Sequence, residues 1–194
     1  MAKNNKKVPK YMQQPPAPVP AVYKGGNQNP ERKFSIMVPM LNPDGTLKLD
    51  TNGLVKQLVD ETYEWNQKHR TRYVAGNGRW TCPDTIEGIM FLKSRSSGCF
   101  CHWKGQTHKG WGVCFQQGQA HVIGQGVSTN NQMIDVKVCK FVESTIHHWH
   151  GYPIDYRAEN DIICDNALFY WEKMHLIDKS EIADIRNKED SSLI

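Results

Sequence analysis

The chain has 194 residues, 39% of them hydrophobic and 23% charged, with a formal net charge of +4; that length suits one domain with an appendage and buries roughly 70% of the unfolded surface without staples. It contains no run of about 18 apolar residues, which excludes a membrane-spanning helix, and the cationic start MAKNNKKVPK lacks the apolar stretch of a signal peptide. Six cysteines with no export signal are expected as reduced thiols, so the expectation is a soluble, cytoplasmic protein.

The charge is unevenly placed. Residues 1–33 carry Lys3, Lys6, Lys7, Lys10, Lys24, Arg32 and Lys33 against Glu31 alone, a net +6, which leaves the remaining 161 residues at −2. The same segment holds Pro9, Pro15, Pro16, Pro18, Pro20 and Pro30 among many Asn and Gln. Such a composition cannot bury enough apolar area to offset its ordering entropy. Residues 1–33 therefore read as a flexible basic arm, extended as polyproline II over Pro15–Pro20, and residues 34–194 as one globular domain. The cations of the arm are the expected nucleic-acid contacts, because the near-neutral body offers no general polyanion surface.

Past the arm, Phe34–Leu41 is a short apolar run closed by Asn42-Pro43-Asp44-Gly45, a turn signal. Asp50 or Thr51 can cap a helix carrying Leu54, Val55, Leu58, Val59, Thr62 and Tyr63 at helical spacing and ending at Lys68-His69-Arg70. Asp84 and Glu87 form a capping-box pair ahead of a second helix with Ile86, Ile89, Met90 and Leu92, ending near Gly98. GCFCHWK, GWGVCFQ, QAHVIGQ and MIDVKVCKFV then repeat with a period closer to two between glycine turns, which predicts an antiparallel β-meander. Asp165 and the Asp178/Glu181 capping box open two closing helical segments, a packed αα-hairpin whose acidic second member is unsuited to a DNA groove. The fold class is α+β, a meander packed against helices.

Three groupings could carry chemistry. Cys99, Cys101, His102, His108 and Cys114 are close in sequence but lack paired Cys-x-x-Cys spacing. A hairpin centred near Thr107 would instead set Trp103 against Trp111, Cys101 against Val113 and Cys99 against Phe115, making both cysteines core residues. On the opposite face, a turn at Gln117-Gly118 would bring Cys114 opposite His121, with Asp135 beside it. Thiol, imidazole and carboxylate in a row are the parts of an activated cysteine nucleophile. In HHWHGYP, His148 and His150 share one face of an extended strand, and with Asp155 or Asp161 would hold a divalent metal or act on a phosphodiester. Finally, Trp80, Trp103, Trp111, Trp149 and Tyr152, near Arg79, Lys104 and Lys109, would suit unstacked bases.

The favoured expectation is an accessory or structural binding protein whose basic arm docks on nucleic acid or a larger assembly. The alternative is a hydrolase or nuclease built on His148 and His150, with or without a divalent metal, or on Cys114, His121 and Asp135.

Overall fold

The structure is a computed structural model and describes residues 33–39, 48–54, 58–66, 68–71, 78–101, 108–160 and 162–193. Of the arm, only Lys33 lies among them, exposed at the first position of the first strand; Lys3, Lys6, Lys7, Lys10, Lys24 and Arg32 lie outside. The elements in chain order are β1 (Lys33–Pro39), β2 (Leu58–Glu64), α1 (Lys68–Thr71), β3 (Arg79–Trp80), α2 (Asp84–Ser96), β4 (Phe100–Cys101), β5 (Lys109–Val113), β6 (Phe115–Gln116), β7 (Gln119–Ala120), β8 (Gly124–Val127), β9 (Met133–Val136), β10 (Val138–Thr145), β11 (His148–Ile154), α3 (Asp165–Lys173) and α4 (Lys179–Asn187). The architecture is α+β. Among the described residues no helix is long and apolar enough to cross a membrane.

The main sheet has the order β1-β2-β11-β10-β5-β4. All its neighbours are antiparallel except β2 and β11, which run parallel. One face carries Phe34, Ile36 and Val38 of β1, Tyr63, Trp149, Phe141 and Phe100, packed with Met90 and Phe91 of α2. The other carries Cys99, Cys101, Trp111, Val113, Val138 and Ile154 under Leu168, Trp171, Ile182 and Ile185 of α3 and α4. Helices thus cover the sheet from both sides.

The segment after β1 departs from its helical reading. Asp50 does accept amide bonds as a cap would, from Asn52 at 2.8 Å and Leu54 at 2.9 Å, but they close a turn through Gly53 in the left-handed region. Residues 58–64 then form a strand. Glu61 and Tyr63 are buried while Leu58, Asp60 and Glu64 are exposed, a period of two. The apolar residues fit both periods, and pairing along all seven residues of β1 decides between them. Three other expectations are corrected. The meander is interrupted, because β6 and β7 form their own hairpin, and β8 and β9 join β3 in a separate three-stranded sheet before β10 returns to β5. In the β4–β5 pair Cys101 stands opposite Lys109, not Val113. That displacement is an even number of residues, so Cys99 and Cys101 keep the core face. Asp165 begins α3 after an N-cap at Cys164 and has no cap bond, whereas Asp178 and Glu181 do form the capping box of α4.

Missing side chains let the aromatic layer approach the sheet. A Cβ on Gly110 would lie 2.4 Å from the Phe100 ring, and one on Gly151 would lie 2.6 Å from Phe141 Cδ1 and 2.8 Å from Tyr63 Oη. Gly151→Ala is therefore expected to cost about 2–3 kcal/mol by overpacking, seen as a lower urea midpoint at unchanged slope. An unchanged midpoint would show that the Phe141 ring has room to turn aside.

Candidate functional site

Between β2 and β3 lies α1, where Asn66 Oδ1 accepts from the Lys68 amide at 3.0 Å. Successive helical residues point in different directions, and here they serve opposite faces. Arg70 reaches the α2 side, where it donates to Glu87 Oε2 and, at 2.8 Å, to the Cys82 carbonyl. His69 reaches the other side and stacks on the rings of His150 and Tyr152, at centroid distances of 6.1 and 5.2 Å.

The Arg70 side is a buried ionic knot. Glu87 has no exposed surface and accepts from Tyr63 Oη at 2.5 Å as well as from Arg70. Arg70 Nε lies 2.8 Å from Asp84 Oδ1, a charge contact without hydrogen-bond alignment. Burial is the main cause lifting the Glu87 carboxyl to about 7, against the opposing pull of Tyr63 and Arg70. Burial, then Glu87 itself, raises Tyr63 well above its ordinary value. Asp84 and Glu87 thus do not make the expected capping box; α2 starts after Pro83 with no side-chain cap. The sequence pattern S/T/D-x-x-E is blind to this outcome, because only the tertiary packing of Tyr63 and Arg70 recruits Glu87 inward.

The His69 side lies on the sheet face beside the area covered by α3 and α4. His148 is exposed, His150 and Tyr152 are half-buried, and His69 is buried. Burial lowers His150, with Glu64 opposing, and lowers His69, with its contact to the Gly78 carbonyl opposing. His69 Nδ1 stands 3.3 Å from that carbonyl, so in the neutral ring Nδ1 carries the proton and Nε2 the lone pair. Next along this face, Lys140 pairs with Glu159 at 2.7 Å and lies over Trp111 and Tyr152. His148 and His150 do share a face, as alternation requires, but the carboxylate expected with them is elsewhere. Asp155 is buried and held by Arg157 at 2.8 and 2.9 Å; Asp161 is outside the described residues. Sequence reasoning missed His69, which lay at the end of the supposed helix.

The other groupings resolve unevenly. Cys114 stands opposite His121, whose amide donates to the Cys114 carbonyl at 2.9 Å, across a Gln117-Gly118 turn with both residues at positive φ. Both side chains turn to Gln116: its Nε2 donates to Cys114 Sγ at 3.7 Å, and His121 Nε2 lies 3.3 Å from its carbonyl. Asp135 is not beside His121. It pairs with Gln125 in β8, because residues 124–127 return to β9 rather than continuing the meander. Trp80, Trp111 and Trp149 are at most 3% exposed, so they are core and not platforms for bases; Trp103 and Lys104 are outside the described residues. Among the described residues, no group of three or more His, Cys, Asp or Glu is placed to hold a metal ion.

No family model, curated protein or solved structure matches this chain.

The two sides titrate with opposite signs. Glu87, raised in the folded state, adds stability that is full below about 4.5 and lost as pH rises through about 7, a change of about 3 kcal/mol. His69 and His150, lowered in the folded state, add stability present above 6.5 and lost as pH falls through their depressed values. A difference measurement separates them. The melting temperature of Glu87→Gln relative to wild type is expected to climb by roughly 6–12 °C between pH 5 and 8; a flat difference would mean that Glu87 stays ionised throughout.

Proposed function

We propose that this chain is an accessory or structural binding protein, whose basic leader docks a near-neutral folded body on nucleic acid or a larger assembly. The observation that carries the reading is the partition of charge, +6 over residues 1–33 against −2 over the rest. Lysines separated by Pro, Asn and Gln contact phosphates without a fixed geometry, and their binding free energy comes from released counterions. The engagement of Cys114 and His121 with Gln116, and of Asp155 with Arg157, supports a binding role over a catalytic one.

The test keeps the chain whole. Replacing Lys3, Lys6, Lys7 and Lys10 by Gln should weaken binding to a single-stranded oligonucleotide in fluorescence anisotropy and flatten the dependence of log Kd on log salt by about 3. Equal affinity in both forms, or none in either at low salt, removes the nucleic-acid version. A protein complex recovered undiminished with the substituted chain removes the assembly version.

One observation favours a second reading, a hydrolase or nuclease: a neutral His69 with its lone pair on Nε2, stacked on His150 and Tyr152, supplies imidazoles suited to proton transfer. Cleavage of a phosphodiester by the wild type, with or without a divalent metal, should then fall at least a hundredfold in His150→Asn while the melting temperature changes little. No cleavage by the wild type ends this reading.

A further inference from the structure

β1 is the outermost strand of the main sheet, and among the described residues Phe34–Pro39 pair with β2 alone. Backbone N–H and C=O groups alternate in direction along an antiparallel strand, so every second residue of β1 turns its pair away from β2. The other edge of the sheet is closed differently: β4 has two residues, and Asn166 of α3 donates to its Phe100 carbonyl at 3.5 Å. β1 carries none of the devices that blunt an edge. Its register with β2 runs through all seven residues without a bulge, its one charge is Lys33 at the first position, and its one proline is Pro39 at the last. The side chains of Phe34, Ile36 and Val38 are already buried in the layer that packs on α2. What the edge still offers is backbone, with Met37 on it and Leu58 beside it both exposed.

We propose that β1 is a dimerisation edge, on which the β1 strand of a second copy of this chain adds antiparallel and joins two six-stranded sheets into one. Closure and charge select this occupant. Among the described residues each main sheet has one open edge of this length, so a two-fold pairing of β1 with β1 satisfies both edges at once and stops there. A strand from elsewhere in the fold would leave an edge free to recruit further copies. Centred on Ile36, the pairing sets Phe34 against Val38 of the second copy and Ser35 against Met37 of the second copy. Buried residues then continue one face and half-exposed or exposed ones the other. The antiparallel direction also keeps the two Lys33 cations about 20 Å apart, whereas a parallel copy would set them side by side. The dimer rests on the strand alone and stands apart from the binding reading. Where that reading holds, two leaders of net +6 each act on one polyanion together and bind it more tightly than either does singly.

Sedimentation velocity of the whole chain across the micromolar range should show a mass rising from 22.3 kDa toward twice that value. Hydrogen exchange at amides of Phe34–Val38 should slow with that rise, while exchange in α4 stays the same. Met37→Lys sets two lysines diagonally across the strand pair and should weaken the dimer roughly tenfold with an unchanged far-UV spectrum. Ile89→Lys, on the exposed side of α2, should leave the dimer intact, as should replacement of Lys3, Lys6, Lys7 and Lys10 by Gln. A monomer at every concentration, a dimer whose β1 amides exchange as fast as the monomer's, one that survives Met37→Lys undiminished, one lost in Ile89→Lys or with the arm lysines, or a larger open-ended assembly would each overturn the proposal. Should Met37→Lys fail to fold, the exchange measurement on the wild type decides alone.

Discussion

A carboxylate with no exposed surface, on a helix that must dock against an aromatic layer, is the constraint around which this fold is arranged. Glu87 belongs to α2, Tyr63 to β2 and Arg70 to α1, so satisfying one buried group joins three elements at fixed distances. A second buried pair works further along the same helix: Arg95 donates to Glu61 at 2.7 and 2.5 Å while its guanidinium lies over Phe100 and Trp149. Each pair is costly to desolvate, and breaking either by removing one partner would cost about 3–5 kcal/mol. Their value to the fold is register. Apolar contacts of Met90 and Phe91 alone would let α2 slide along the aromatic layer of the sheet, but two hydrogen-bonded ion pairs about two turns apart on the helix admit one position.

The same constraint sets the histidine face. Once Arg70 is drawn to Glu87, the short helix that bears it can turn only one way, and the preceding residue, His69, is delivered to the far side of the sheet above His150 and Tyr152. The half-buried imidazoles are therefore a by-product of packing as much as a feature of their own strand. Of the carboxylates on that side, Glu159 pairs with Lys140, while Glu64 acts on His150.

Legibility in the sequence followed the range of the interaction. The α2 segment, the closing helices, the Asp178–Glu181 capping box and the Gln117-Gly118 turn depend on neighbours within a few residues, and all were readable. So was the burial of Cys99 and Cys101, since alternation survives an even change of register. Residues 58–64 were not readable, because Leu58, Val59, Thr62 and Tyr63 satisfy a helical and a strand period alike and the arbiter is β1. Asp135 failed for a related reason: whether residues 124–127 continue one sheet or start another is decided by β3 and by Pro153, which leaves no room for a Cβ at Gly124. Glu87 and His69 were invisible as partners because their roles exist only after the long-range contacts have formed.

The thiols sharpen the distinction between chemistry and structure. Burial is the leading cause raising Cys82, Cys99 and Cys139, the first to about 11 and the second to about 12. A nucleophilic cysteine needs the opposite environment, cationic and partly wet. These three sulfurs therefore act as small apolar fillers, Cys99 in the cluster that holds Trp171 and Cys139 and Cys82 in or against the one that holds Phe141 and Trp149, and their chemistry is suppressed by the same packing that uses their volume.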